Sequence, residues 1–132
     1  MTSLQLNNFV HDLPSLIVEA QAEIDKQAEA ARLKYITGGA GQAMTYTQKL
    51  EEAVAFLAVA SPIGADYPII QAEALATGAA MMAIATNIKA TSDAWRPIAA
   101  SIEAIRMGGK LSLASAGSSS EISAIISTLV WP

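Results

Sequence analysis

Eight residues, Met81, Ile84, Ile88, Thr91, Trp95, Ile98, Ile102 and Ile105, follow one another at intervals of 3, 4, 3, 4, 3, 4 and 3. Only a helix brings residues at such spacings to one side of the backbone, and an unbroken 3/4 alternation is a heptad seam. Pro97 lies inside this run. Proline removes a helical N–H and clashes with the preceding turn, so it normally kinks or ends a helix. The register stays in phase across it, which predicts one kinked helix of about 28 residues, or ~42 Å. Gly108-Gly109 is one expected stop; the alternative is that Lys110-Leu111-Ser112-Leu113-Ala114 carries the helix on.

Such a helix is long for a 132-residue chain, whose compact radius of gyration would be about 14 Å. The expectation is therefore an all-α, elongated antiparallel bundle of four to five helices, or long helices packed against copies or a partner. Residues 1–12 read as an extended N-terminal arm and residues 13–132 as a single helical domain. In the arm, Leu4, Leu6, Phe9 and Val10 stand among polar residues without a helical period.

The remaining elements follow from local signals. Asp12 can cap a first helix with Pro14 in its first turn. Leu13, Ile17, Ala20, Ile24, Ala31 and Tyr35 form its apolar stripe, which carries it to about Ile36. Gly38, Gly39 and Gly41 are expected to close it. A second helix from about Gln42 to Ala60 presents Ala53 and Phe56 on one face, with Leu50, Val54 and Leu57 beside them; Ser61-Pro62-Ile63-Gly64 breaks it. Asp66 is the expected cap of a short third helix that Thr77-Gly78 ends or bends. Ser118-x-x-Glu121 has capping-box spacing before a last helix with Ile122, Ile125, Ile126 and Leu129 on its apolar face.

Composition narrows the function. Hydrophobic residues are 52% and charged ones 15%, which argues against a wholly disordered chain. A net charge of −4 with scattered Lys and Arg argues against nucleic acid as a partner. The charge-free stretches at 74–88 and 111–120 fall short of the ~20 apolar residues of a membrane span, so none is expected. The N-terminus has neither the basic nor the apolar region of a secretory leader. With no cysteine and only His11, thiol chemistry and the common transition-metal sites are excluded.

Catalytic constellations fail one by one. His11-Asp12 lacks a nucleophile at motif spacing. Glu19 and Glu23, and Glu51 and Glu52, read as solvated rather than as carboxylates converging in a cleft. Gly38-Gly39-Ala40-Gly41-Gln42 precedes a helix and could cradle an anion. It lacks the Lys-Ser or Lys-Thr of a Walker loop and follows a helix rather than a strand, which fits a turn between helices better. A non-enzymatic protein without catalytic, metal or cofactor residues is the expectation.

Three segments carry a resemblance: Glu29–Leu57 (EAARLKYITGGAGQAMTYTQKLEEAVAFL), Asp66–Ala74 (DYPIIQAEA) and Ala90–Lys110 (ATSDAWRPIAASIEAIRMGGK). In this order they resemble small helical proteins and domains coded among bacteriophage tail and tail-fibre genes. The resemblance implies a virion component or accessory factor that docks on or connects tail-fibre or baseplate proteins. It implies a location in the phage tail, or in the host cytoplasm during assembly. The alternative is a fibre-assembly chaperone bound only transiently. A homo-oligomer is compatible with either. The resemblance carries over no catalytic residue. The candidate partner-binding residues are the apolar ones at the two ends, Leu4, Leu6, Phe9, Val10 and Trp131.

Overall fold

In the computed structural model, which describes residues 12–132, the Asp12 carboxylate accepts from the Ser15 amide at 2.9 Å and opens helix α1, Leu13–Arg32. The chain continues through α2 (Ala40–Leu57), a 3-10 turn (Gly64–Asp66), α3 (Pro68–Thr77), α4 (Met81–Ala114) and α5 (Ser119–Thr128). The fold class is all-α, and the described residues contain no strand.

The described residues form two compact units. The first combines residues 12–35 with Ile98–Pro132, and the second is Ile36–Pro97. Helix α4 contributes to both, and the division falls at Pro97, inside one continuous helix as the in-phase seam requires.

In the first unit, α1 buries Ala20, Ile24, Ala28 and Ala31. Ala20 and Ile24 pack with Leu113, Ala116 and Ile122; Leu13, Leu16, Ile17, Ile125, Ile126 and Leu129 close over them. The apolar stripe extends to Tyr35, but α1 stops at Arg32. The amides of Lys34 and Tyr35 donate to the carbonyls of Ala31 and Arg32, a three-residue tightening that ends the α-helical ladder. In the second unit, Ala53, Phe56, Tyr67, Ile70, Ile84, Ala85 and Ile88 form the core. Phe56 and Tyr67 meet edge to face at 5.1 Å.

The seam of α4 is consumed within the chain. Ile84 and Ile88 enter the second core and Ile102 is fully buried in the first unit, while Thr91 stays exposed.

The glycine expectations need correction. Gly39, with φ of +103°, is the N-cap of α2, so it opens the second helix rather than closing the first; Gly41 lies inside α2. Of the two ends expected for α4, the helix takes the later one: it passes Gly108 and Gly109 and runs on to Ala114. Gly109 is buried against side chains of α1 and the chain's tail: a Cβ there would stand 2.9 Å from Ile24 Cδ1 and 3.4 Å from Leu129 Cδ2. A Cβ on Gly108 would meet nothing within 4 Å. The pair therefore contains one glycine whose added Cβ would crowd a buried side chain and one whose Cβ would meet nothing.

The last cap follows its signature at Ser118, while the return bond of Glu121 goes to Gly117, one residue before the N-cap. Ser118 Oγ accepts from the Glu121 amide at 3.2 Å, and Glu121 Oε2 accepts from the Gly117 amide at 2.6 Å.

Candidate functional site

The start of α3 holds a carboxylate that sequence spacing does not place there. Asp66 is the cap expected from local signals, but it sits within the 3-10 turn, and the N-cap position falls on Tyr67, whose side chain makes no capping bond. Glu52, from the facing side of α2, caps the helix instead. Its Oε1 accepts from the Ile69 amide and its Oε2 from the Ile70 amide, each at 3.0 Å. Two free amides and the positive end of the helix dipole meet one negative group. Glu52 is thus a structural clamp between α2 and α3, not a solvated neighbour of Glu51. A cap 17 residues away in sequence leaves no local signature.

Beside this clamp lies an open groove of about 510 Å³ in the second unit, between α2, α3 and the first half of α4. Tyr46 and Lys49 line it from α2, Glu73 and Thr77 from α3, and Asn87 and Thr91 from α4. Lys49 Nζ stands 3.1 Å from Glu73 Oε2, an oxygen that is itself buried. The groove offers an ion pair, hydroxyls and one amide, without a nucleophile–base pair or converging carboxylates.

The first unit carries an ionic network between α1 and α4. Arg106 Nη1 donates to Asp25 Oδ1 at 2.9 Å, and its Nη2 donates to Glu103 Oε1 at 2.7 Å. Lys110 Nζ reaches the same Asp25 carboxylate at 2.7 Å. Arg32 pairs with Glu29 at 3.0 Å and lies 3.8 Å from Glu103. Hydrogen bonds from Lys110 and then Arg106 hold the Asp25 carboxyl below its ordinary range; Arg106 does the same for Glu103. Arg106 is in turn held more firmly protonated, first by Glu103 and then by Asp25. These groups neutralise one another and present no perturbed acid or base to a cleft.

Of the candidate partner-binding residues at the chain ends, Leu4, Leu6, Phe9 and Val10, like His11, lie outside the described residues. Trp131 packs against the core of the first unit, and its indole Nε1 donates to Gln27 Oε1 at 2.9 Å. Gln27 Nε2 in turn donates to Glu23 Oε1 at 3.2 Å. The tail is thereby tied to α1 by a relay that engages Glu23, one of the four carboxylates considered for acid–base work. Among the described residues, no group of three His, Cys, Asp or Glu side chains could hold a metal ion. No single helix among them is long and apolar enough to cross a membrane.

No protein-family model, curated protein or solved structure matches the chain.

Proposed function

We propose that this chain is a non-enzymatic structural or interaction protein of a bacteriophage tail, docking on or connecting tail-fibre or baseplate proteins. The observation that carries the reading is the ordered resemblance of Glu29–Leu57, Asp66–Ala74 and Ala90–Lys110 to helical proteins coded among tail and tail-fibre genes. Three of the polar features described above support it, because they have structural partners: Glu52 caps α3, Asp25 joins Arg106 and Lys110, and Gln27 holds Trp131. Several large apolar side chains in both units are well exposed, among them Leu75, Leu111 and Val130. Exposed apolar surface of this kind suits protein partners better than nucleic acid.

In this reading the extended N-terminal arm, with Leu4, Leu6, Phe9 and Val10, reaches a fibre or baseplate protein. The protein resides in the virion tail, or in the host cytoplasm while tails assemble. The test is mass spectrometry of purified virions from a host infected by the phage that codes for the chain, paired with affinity capture from lysate during infection. A stoichiometric presence in particles and capture of a tail-fibre or baseplate protein is the expected result. Capture without presence in particles would select the transient chaperone. Absence from both would remove the tail assignment.

A further inference from the structure

Helix α4 carries a second heptad stripe, distinct from the seam that its own core consumes. Ala100, Ala104, Met107, Leu111 and Ala114 follow at intervals of 4, 3, 4 and 3, and all five are exposed. Met107 is 51% and Leu111 76% exposed. All belong to the first unit. Beside the stripe, on one flank, are Ser101 and Gly108, and a Cβ on Gly108 would project into open space. On the other flank are Glu103 and Lys110. Small residues along one flank let a second helix come close, and alternating 3/4 spacing is the pattern that two helices need to interlock.

The geometry points to a second copy of this chain as the occupant, with its α4 stripe packed antiparallel against the first. Charge complementarity favours this partner and this direction. In an antiparallel pair centred between Ile105 and Arg106, Ala104 faces Met107 of the other copy and Leu111 faces its Ala100. The same register sets Glu103 near Lys110 of the other copy, twice by symmetry. Flanking positions of one kind face each other across an antiparallel seam, so one flank carries opposite charges and the other carries Ser101 and Gly108. A parallel pair would instead set Glu103 against Gly108 and Lys110 against Ser115, with no charge matched. A two-fold pair is also the commonest closed assembly, because one self-complementary patch serves both copies. Glu103 is 50% exposed on its side chain although it already meets Arg106, whereas Lys110 is 25% exposed and keeps its 2.7 Å bond to Asp25, so it meets the other copy's Glu103 as a bridge between two carboxylates. Such exposed pairs set direction more than strength.

The stripe spans about two heptads, so the interface is small and the dimer weak, in the micromolar range or above. The inference does not depend on the tail assignment. Sedimentation equilibrium of the full chain from about 10 µM to 1 mM covers the affinities expected of small interfaces. A monomer–dimer equilibrium is expected, with Leu111→Glu weakening it at least about tenfold while the helical signal is unchanged. Direction is read by cross-linking, which the absence of native cysteine makes unambiguous. Ala104→Cys and Met107→Cys chains, mixed in a glutathione redox buffer, should form the mixed disulfide well above the half that random pairing gives. Val18→Cys, exposed on α1 and off the stripe, should not cross-link to itself. A monomer throughout the range, a dimer indifferent to Leu111→Glu, or preferential Ala104→Cys self-linking would each overturn the proposal.

Discussion

Replacing Gly109 and Gly108 separately by alanine isolates one packing contact from a shared backbone effect. Both glycines lie inside α4, and alanine in place of an interior helical glycine stabilises by about 1 kcal/mol. At Gly108 nothing opposes that gain. At Gly109 the new Cβ would sit 2.9 Å from Ile24 Cδ1, about 0.6 Å inside the ~3.5 Å lower end of comfortable carbon–carbon contact. Ile24 is fully buried, so its methyl has no solvent to retreat into. Overpacking of this kind costs about 1–3 kcal/mol, which cancels or exceeds the helical gain. Gly108→Ala should therefore raise the melting temperature, and Gly109→Ala should lower it or leave it level. The expected gap of about 1–3 kcal/mol corresponds to roughly 4–11 °C for a chain of this size. Thermal unfolding followed by circular dichroism reads it directly. Ile24→Val removes the offending carbon; alone it costs about 0.5–1.5 kcal/mol, and in the Gly109→Ala background it should cost nothing or restore stability. Equal stabilisation by the two alanines, without coupling to Ile24, would refute the close-approach account of Gly109.

Four further outcomes are expected. Glu52→Ala should cost about 1–2 kcal/mol, because two amides of α3 lose their acceptor, and Glu52→Gln should cost less; chemical denaturation compares them. Stability should fall on acidification below about pH 4, since the folded carboxyls of Asp25 and Glu103 titrate below their unfolded values. Their contribution is complete above the unfolded values and disappears as pH drops through the folded ones. Asp25→Asn should flatten that acid limb in pH-dependent melts, and high salt should shrink it in the parent protein. Pro97→Ala restores an N–H facing the Asp93 carbonyl and should stabilise by about 1–3 kcal/mol in thermal melts. Trp131→Phe keeps most of the apolar contact and removes the bond to Gln27, for a loss of about 0.5–1.5 kcal/mol in a denaturant titration.

What the sequence revealed and what it concealed divide along physical lines. The α4 seam was legible because its apolar positions recur within one element, and its phase survives Pro97 as a single helix. The caps by Asp12 and Ser118 were legible because donor and acceptor lie three residues apart. Glu52 was not, because its partners Ile69 and Ile70 belong to another helix, while Asp66 offered a local alternative that the fold declines. Gly108-Gly109 offered a stop and Lys110–Ala114 a continuation, and local signals do not choose between them; the contact of Gly109 with Ile24 is 85 positions distant in sequence (109 − 24). Trp131 was legible as a residue that must pack somewhere, but its partner Gln27 was not. The groove beside Lys49 and Glu73 has no sequence pattern, since three helices supply its walls.

The unit that holds the Gly109 contact is interrupted in sequence, with residues 36–97 placed between its two parts. During synthesis α1 leaves the ribosome first and must wait while that whole insertion is added before α4 and α5 can cover it. Three of the four positions it will bury are alanines, and Ile24 is the one large exception. Leu13, Leu16 and Ile17, which also pack on this core, all lie in the first five residues of the helix. The hydrocarbon that a stray chain or a chaperone could hold during the wait is therefore gathered at one end of α1, and the alanine-rich remainder offers little.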